Sequence, residues 1–304
     1  MIDELISDVV VVGGGAAGSS AALVLGRARA RVTLVDAGRP SNTPSTGIGG
    51  LLGHDGTAPA DFYRRAAAEL AAYPTVTRRP ATVTEITPDD AGPRWRLALD
   101  DGATVHTDHV VLATGMHYAL PAVDGIEGRF GASVFHCPFC HGWEHRDQPL
   151  AVLGVAPMTV ERTLLLRRWT DDLTLITAGT ALTEAKQNRL ARAGVRIVEG
   201  EAVALHGEGR RLESITLADG RTVACSGLLV PAPHEHRRPA LLDKLGLEVT
   251  PSGHLVTDAL GRTSVPGLWA AGDLTSPVAN VARAIAEGAQ CALGITHELV
   301  AAAA

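Results

Sequence analysis

The chain has 304 residues, enough for two domains, and its 46% hydrophobic and 20% charged residues predict a sizeable core rather than disorder. The net charge is 27 − 33 = −6, and there is no basic stripe interleaved with aromatic residues, so nucleic-acid binding is not expected. The acidic start is unlike a signal peptide, and the apolar run after it is too short to span a membrane. Four cysteines do not make a disulfide scaffold, so we expect a cytoplasmic protein.

The first predicted elements are a strand, a glycine-rich turn, a helix and a second strand. Residues 8–12 form a continuous apolar run that is typical of a buried parallel strand. A helix rich in Ala and Leu is predicted to follow through Arg27, and residues 31–35 form the next strand, which ends at Asp36. This order predicts the first half of a dinucleotide-binding domain.

The glycines of the turn have separate predicted roles. Gly13 permits the tight turn, Gly15 lets the backbone approach a pyrophosphate, and Gly18 lets the helix pack closely on the strand. The helix N-terminus offers free N–H groups to phosphates. Asp36 is placed to accept a hydrogen bond from a ribose hydroxyl, which argues against a 2′-phosphate there. A purely structural glycine turn is the less favoured alternative.

A long irregular loop is predicted over residues 39–56, which are rich in Gly, Pro, Ser, Thr and Asn, near the nucleotide site. Asn42 in this loop contacts the cofactor or only stabilises a turn. An amphipathic helix is predicted over residues 61–72. Alternating patterns predict strands at residues 82–86, 94–99 and 104–107, the last two joined by a hairpin turn at residues 100–102.

Two further apolar strands end in small residues. Residues 110–112 lead into the turn Ala113, Thr114 and Gly115, and residues 265–273 repeat the design near the C-terminus. That second strand reaches Gly272 and Asp273, and a helix is predicted over residues 278–292. An Asp in this position can accept a hydrogen bond from a ribityl hydroxyl of a flavin, and the helix can direct its N-terminus at the isoalloxazine.

The segment with the most specific chemistry holds Cys137 and Cys140, which are close enough in sequence to form a disulfide across one turn. In such a pair one thiol is often acidified to a thiolate near neutral pH. His136 and His141 flank the pair and are the nearest proton carriers, a role that suits a pKa near neutral. The alternative, a zinc site, needs a second ligand pair, and no second C-x-x-C or H-x3-H follows. We therefore expect redox chemistry and no metal.

A second, smaller α/β unit is predicted after the dithiol. Its strands are expected at residues 150–154, 173–176, 196–198 and 215–217, and its helices at residues 159–168 and 183–193. The order is that of a second nucleotide-binding domain, but its turn carries Ala156 and Thr159 where glycines are needed, and Pro157 removes an N–H donor. The next strand ends without an acid for a ribose. The fold is therefore expected to persist while nicotinamide binding is lost.

At this point the chain resembles the low-molecular-weight thioredoxin reductase family of flavoproteins over nearly its whole length. The resemblance implies an α/β fold of two Rossmann-like, three-layer ββα domains. It implies a discontinuous FAD-binding domain at residues 1–115 and 246–304, and an inserted, degenerate NADPH-type domain that carries the dithiol at residues 116–245. FAD as cofactor and a homodimer are implied in the same way.

The resemblance also assigns roles to single residues. Cys140 would lie against the flavin as the charge-transfer thiol, and Cys137 would exchange with substrate. The implied FAD contacts are Gly13, Gly15, Ala16, Ala17, Gly18, Asp36, Asn42, Val83, Ala113, Thr114, Gly115, Gly272, Asp273 and Val281.

Departures from the family pattern change the expected activity. His141 follows the second cysteine where thioredoxin reductases have Asp, and their NADPH elements are absent. Asn280 and Val281 stand where they have an Arg-Gln pair. Residues 137–144 are instead similar to the dithiol oxidases that close disulfides in gliotoxin and holomycin biosynthesis. That similarity implies oxidation of a small dithiol by oxygen, without NADPH. A reductase driven by NADPH or ferredoxin, and a flavin redox sensor that is not an enzyme, are the open alternatives.

Overall fold

The computed structural model describes residues 4–89, 92–118, 120–156, 158–231, 234–236 and 240–304. Contacts divide the chain into two compact units. The first unit comprises Met1–Ser41, Ala60–His117 and Glu235–Ala304, and the second comprises Asn42–Pro59 and Tyr118–His234. Within the described ranges, no helix has the length and apolar character needed to cross a membrane.

The elements alternate between strands and helices in both units. The strands are β1 (Glu4–Ile6), β2 (Val9–Val12), β3 (Val32–Val35), β4 (Val76–Arg79), β5 (Val83–Pro88), β6 (Trp95–Leu99), β7 (Thr104–Thr107), β8 (His109–Leu112), β9 (Met116–Tyr118), β10 (Val134–Phe135), β11 (Leu150–Leu153), β12 (Leu173–Ile176), β13 (Arg196–Val198), β14 (Ala202–His206), β15 (Ser214–Leu217), β16 (Thr222–Ala224), β17 (Gly227–Leu229), β18 (His234–His236) and β19 (Leu268–Ala270). The α-helices are α1 (Ala16–Arg27), α2 (Pro59–Leu70), α3 (Pro138–His141), α4 (Thr159–Leu166), α5 (Glu184–Arg192), α6 (Ala240–Asp243) and α7 (Val281–Ala302). Short 3₁₀ helices span Glu127–Arg129 and Gly272–Thr275.

The first unit is built on a parallel sheet in the order β19-β8-β2-β3-β4. Successive side chains of a strand face opposite sides of its sheet. Val9 and Val11 therefore join the core that α1 and α7 form on one face, while Val10 and Val12 join the core under the sheet β1-β7-β6-β5 on the other. Both faces of β2 are buried, which explains its unbroken run of valines.

The second unit repeats this design with a parallel sheet in the order β10-β17-β11-β12-β13. Leu150 and Val152 of β11 face the core formed with α4 and α5. Ala151 and Leu153 face the core formed with the antiparallel sheet β14-β15-β16. Each unit thus has the three-layer order of helices, parallel sheet and second sheet, and the predicted α/β fold with two Rossmann-like domains is confirmed.

The C-terminal helix departs from its predicted bounds. It was expected over residues 278–292, but α7 runs over Val281–Ala302. Asn280 caps it, because its side-chain oxygen accepts a hydrogen bond from the Arg283 N–H at 2.8 Å. The buried Ile295 extends the apolar face beyond the predicted end. The domain division at residues 115 and 245 stays a prediction, and contacts assign the loop Asn42–Pro59 to the unit that carries the dithiol.

Candidate functional site

The turn between β2 and α1 is the first part of the candidate site. Gly13 has φ 103°, and its N–H donates to the Val35 carbonyl at 2.8 Å. A Cβ added at Gly13 would strike the Ala113 carbonyl oxygen, and one at Gly18 would strike the Gly13 carbonyl oxygen. An added Cβ at Gly15 would have no described atom within 4 Å. Packing of the turn therefore requires Gly13 and Gly18, whereas Gly15 borders open space.

The N-terminus of α1 suits an anion. Gly15 is the N-cap residue and supplies no side-chain cap, and the first helical turn has no acidic residue. Ala16 and Ala17, which follow, carry no polar side chain to accept from the free N–H groups. Such a helix end attracts negative charge through its unpaired donors and its dipole. The open side of Gly15 and these donors together fit a pyrophosphate.

Asp36 follows β3 at the same edge of the sheet. Its Oδ1 accepts from the Gly38 N–H at 2.9 Å and from the Gly14 N–H at 3.3 Å. Its Oδ2 lies 3.2 Å from Arg78 Nη2, at the end of β4. A carboxylate has about four lone-pair sites, so these three contacts hold the side chain and leave acceptor capacity. The contact of Asp36 with a ribose stays a prediction.

The ends of β8 and β19 form the next part. The two strands are paired, with Leu112 opposite Ala270. The Ala113 N–H donates to the Val12 carbonyl at 2.9 Å, which ties this strand end to the glycine turn. The hydroxyl Oγ1 of Thr114 is buried and has no hydrogen-bond partner in the described part of the chain. A buried polar atom without a partner is costly, so Thr114 fits a site that a polar ligand completes.

Gly272 begins the turn after β19. It has φ 81°, and its N–H donates to Glu287 Oε2 at 2.8 Å. The same oxygen accepts from Thr275 Oγ1 at 2.8 Å, and Arg283 Nη2 lies 2.5 Å from Glu287 Oε1. Glu287 therefore fixes the turn that contains Asp273. The sequence interpretation missed this residue, because one glutamate in a helix has no distinctive pattern.

Other predicted FAD contacts have different surroundings. Val83 is buried at the start of β5, in the core beneath the second sheet. Val281 is the first residue of α7 and packs against the helical core. Asn42 belongs to the second unit. The first unit thus gathers the glycine turn, Asp36, Thr114 and Gly272, while a cofactor contact of Asn42 stays a prediction.

The dithiol lies at the start of α3. Cys137 and Cys140 form a disulfide, with their Cα atoms 5.3 Å apart. Cys137 is the extended N-cap residue, and Pro138 occupies the first helical turn. Proline is favoured there because its missing N–H would have no helical partner. The sequence therefore folds the pair into one rigid turn.

His141 closes that turn from the inside and is only 8% exposed. Its ring stacks on Phe135 at 5.6 Å, and its Nε2 lies 3.2 Å from Ser45 Oγ. Burial lowers the pKa of His141 to about 4, helped by the charges of His145 and Arg210 and opposed by a hydrogen bond to the Gly131 backbone. The expected near-neutral pKa is therefore wrong for the disulfide form, because the ring is desolvated.

The other histidines near the pair also contact aromatic rings. His136 stacks on Phe130 at 6.0 Å. His145 stacks on Phe135 at 5.3 Å, and its Nε2 lies 3.1 Å from the Ala132 carbonyl oxygen. His145 thus lies on the same Phe135 ring as His141. Proton-carrying roles for His136 and His141 stay predictions.

The loop Asn42–Pro59 contacts the dithiol turn directly, which the sequence interpretation did not anticipate. A Cβ added at Gly49 would lie 2.5 Å from the Cys140 carbonyl oxygen. The loop is anchored by Arg210, whose Nη2 donates to the Pro44 carbonyl at 2.6 Å. Ser45 and Gly49 are therefore site residues. A polar loop sequence alone does not show which helix it contacts.

Aromatic residues around α3 fall into two groups. Phe139 and Trp143 are 68% and 64% exposed, whereas Phe135 is fully buried in the core. The Phe139 ring meets the edge of Trp169 at 5.6 Å, and a Cβ added at Gly142 would lie 2.8 Å from that indole. Trp169 thus packs against α3, the helix that carries the dithiol.

The second nucleotide-type turn has a closed geometry. Thr159 Oγ1 donates to the Ala156 carbonyl at 2.6 Å and lies 3.3 Å from the Ala156 N–H. The threonine hydroxyl therefore accepts from the Ala156 N–H, a donor that a phosphate at this turn would otherwise use. A Cβ added at Gly154 would lie 2.6 Å from the Thr177 carbonyl oxygen, so this glycine serves strand packing. Pro157 lies outside the described residues.

A glycine-turn α/β unit joined to a unit that carries a C-x-x-C disulfide defines a flavin-dependent oxidoreductase. The chain belongs to the pyridine nucleotide-disulphide oxidoreductase family, whose sequence pattern matches residues 7–288. FAD is the cofactor, and the open side of Gly15 and the unpartnered Thr114 hydroxyl fit it. The turn at residues 154–159 does not fit the pyridine nucleotide that the family name implies.

Solved and curated relatives agree with this family. The crystal structure of HlmI is similar with a TM-score of 0.90 and 41% identity, covering 97% of this chain and 92% of that one. Thioredoxin reductase tcpT of Claviceps purpurea is 29% identical, over 93% of this chain and 91% of its own length. A "Probable thioredoxin reductase" of Arthroderma benhamiae is 32% identical over 57% of this chain, and the match spans only 44% of that relative. The recognised family, the thioredoxin reductase-like flavoproteins, is thus confirmed.

Proposed function

We propose that this flavin-dependent oxidoreductase is a dithiol oxidase that closes an intramolecular disulfide in a small-molecule dithiol and uses oxygen as the electron acceptor. The observation that carries the proposal is the pairing of two features in one unit. A Cys137–Cys140 disulfide lies beside the buried His141, and in the nucleotide-type turn of the same unit the Ala156 N–H donates to the Thr159 hydroxyl at 3.3 Å. Such a unit is suited to exchange with thiols and poorly suited to take hydride from NADPH.

The exchange steps use the chain's own residues. One substrate thiol loses its proton to His141 and attacks Cys137, so a substrate–Cys137 disulfide forms and Cys140 leaves as a thiolate. The second substrate thiol then attacks the substrate sulfur of this mixed disulfide. A cyclic disulfide product forms, Cys137 is released as a thiol, and the cysteine pair now holds the two electrons of the substrate.

His141 is neutral in the disulfide form because its pKa is lowered to about 4, so its acceptor lone pair is available at pH 7. A thiolate that develops at Cys140 in the same turn stabilises the protonated ring, so the base strengthens as exchange proceeds. When bound, FAD supplies a two-electron acceptor that oxygen can reoxidise with release of hydrogen peroxide. The residues proposed to hold it are the glycine turn, Asp36, Thr114 and Gly272.

Location and assembly follow from the same proposal. A dithiol enzyme with a single redox-active cysteine pair fits the cytoplasm, and the family resemblance supports a homodimer. Cys225 is buried, and burial raises its pKa to about 12, so it is an inert thiol in this scheme. The names of two relatives, both called thioredoxin reductases, favour the rival activity of a disulfide reductase.

One experiment separates these activities. Purified holoenzyme is titrated anaerobically with dithiothreitol and, separately, with NADPH, while the flavin absorbance is followed; oxygen uptake and peroxide are then measured in air. We expect dithiothreitol to bleach the flavin and NADPH not to, with one peroxide formed per dithiol oxidised. Cys137→Ser and Cys140→Ser should abolish turnover, and Cys225→Ala should retain it. Bleaching by NADPH, or full oxidation by either serine variant, would overturn the proposal.

A further inference from the structure

The Ser45 hydroxyl lies between two partners in the second unit. It donates to the Gly47 carbonyl at 2.6 Å, and its oxygen lies 3.2 Å from His141 Nε2. The Thr46 N–H donates to the Gly131 carbonyl at 3.1 Å, which anchors the loop next to Ser45. A Cβ added at Gly131 would meet the Pro44 carbonyl group at 2.5 Å, so the loop is held by close backbone packing as well.

The donors and acceptors around Ser45 determine which ring nitrogen of His141 carries the hydrogen. A hydroxyl has one hydrogen, and a carbonyl oxygen can only accept, so the Ser45 hydrogen points to Gly47. Ser45 Oγ can then only accept from His141, which places a hydrogen on Nε2. A neutral imidazole carries one N–H, so Nδ1 holds the lone pair. That Nδ1 is buried and has no hydrogen-bond partner among the residues that the structure describes.

We propose that Ser45 is a positioning residue that holds His141 in the Nε2–H tautomer, so that Nδ1 receives the proton of the substrate thiol. The inference rests on the proposed function and deepens it. The proton leaves the substrate S–H bond and ends on Nδ1, while the negative charge ends on Cys140 when the disulfide breaks. A buried ring nitrogen without a partner is costly, and this role explains why it is kept.

The alternative tautomer is disfavoured by the same contacts. With the hydrogen on Nδ1, the bare Nε2 would face Ser45 Oγ, whose only hydrogen already bonds Gly47. Two lone pairs would then oppose each other in a buried site. The Gly131 backbone also forms a hydrogen bond with the His141 ring, so replacing Ser45 by Ala weakens this discrimination without a change of charge and raises the share of the second tautomer.

The test uses the FAD-loaded protein with ¹⁵N-labelled histidine. The ¹⁵N shifts distinguish a protonated ring nitrogen from a bare one, and His141→Gln assigns the signal. In the wild type we expect a protonated Nε2 and a bare Nδ1 for His141, and in Ser45→Ala a mixture of tautomers. Thr46→Ala changes the exposed neighbouring side chain and should keep the wild-type spectrum. A wild-type His141 with its proton on Nδ1 would overturn the proposal.

Anaerobic reduction of the disulfide by dithiothreitol gives the kinetic readout. We expect Ser45→Ala to slow it roughly tenfold to hundredfold, within the contribution of a general base, and Ser45→Thr, which keeps the hydroxyl, to recover most of the rate. An unchanged rate in Ser45→Ala would remove the positioning role. The ¹⁵N spectrum and the anaerobic reduction rate are both measured without oxygen. A protein that fails to turn over with oxygen would therefore contradict the proposed oxidase activity without affecting the tautomer result.

Discussion

Gly49 packs on the backbone of Cys140 so closely that a Cβ at Gly49 would lie 2.5 Å from the Cys140 carbonyl oxygen and 3.2 Å from its Cα. Neither atom belongs to a flexible side chain, so no rotamer change relieves such a contact. With Ser45 against His141, the loop Asn42–Pro59 therefore forms one wall of the dithiol turn. A shift of this loop relative to the dithiol turn should therefore displace Cys140, whose sulfur is the leaving group in the proposed exchange.

Gly49→Ala should slow reduction of the disulfide by dithiothreitol by about tenfold or more, because a misplacement of about 1 Å at a reacting group can cost about a hundredfold in rate. Stopped-flow absorbance of the flavin under anaerobic conditions measures it. Gly128→Ala is the matched control, since an added Cβ there would have no described atom within 4 Å and the backbone needs no positive φ. Equal rates in the two variants would contradict a direct contact with Cys140.

Several strands and the redox pair could be predicted because their signals are local. The buried valines of β2 and the hairpin turn that ends at Gly102, with φ 86°, follow from neighbouring residues alone. The C-x-x-C spacing of Cys137 and Cys140 likewise specifies its own geometry. Each of these features needs no information about distant parts of the chain.

The contact of the loop Asn42–Pro59 with Cys140 and the hydrogen bonds of Glu287 could not be predicted, because their signals are not local. Gly49 and Cys140 are far apart in sequence, and a glycine in a polar loop is equally well explained by a turn. Glu287 looks like any exposed helical glutamate, yet it accepts from the Gly272 N–H at 2.8 Å. His141 looked like a near-neutral base, and only its burial reveals the lowered pKa.

Substitution by alanine should have different effects on apoprotein stability at Gly15 and at Gly18. Gly15→Ala should leave the apoprotein nearly as stable as wild type, because its Cβ meets no described atom within 4 Å, and should weaken FAD binding by filling the approach to the pyrophosphate. Gly18→Ala should destabilise the apoprotein itself, since its Cβ strikes the Gly13 carbonyl oxygen. Thermal unfolding of the apoproteins and fluorescence titration with FAD separate the two effects. Normal FAD affinity in Gly15→Ala would argue against a phosphate at this turn.

Glu287→Gln should loosen the turn that begins at Gly272. The carboxylate accepts from the Gly272 N–H and from Thr275 Oγ1, and hydrogen bonds to a charged group contribute about 1.5–3 kcal/mol. We expect weaker FAD retention on dilution and a lower midpoint of thermal unfolding. Glu298→Gln, at the far end of α7, is a control for the loss of one negative charge and one charged hydrogen bond, because Glu298 accepts from Arg262 Nε at 2.8 Å, and FAD retention is the readout compared. If both variants retained FAD equally, the hydrogen bonds of Glu287 would have no role in the cofactor site.

The stability of the second unit should fall with pH below about 6.5. The pKa of His141 is lowered from 6.5 to about 4, so the unfolded chain takes up this proton first as the pH falls. The stabilisation is therefore complete above 6.5 and is lost as the pH falls from 6.5 towards 4. A shift of this size corresponds to roughly 3–4 kcal/mol at most. Burial is its main cause, and the positive charges of His145 and Arg210 act in the same direction.

His141→Gln removes this titration, so its urea midpoint should depend less on pH between 4 and 6.5 than that of the wild type. The pKa values of His109 and His254 are also lowered mainly by burial. These two histidines therefore contribute to the pH dependence of the urea midpoint in both proteins. Glutamine also loses the stacking on Phe135, so slopes rather than absolute midpoints are compared. Val160→Ala creates a cavity in the same unit without a titrating group and should shift the whole curve in parallel. Parallel curves for His141→Gln and wild type would mean that the ring is solvated in the folded protein, and it would then be a base of ordinary strength.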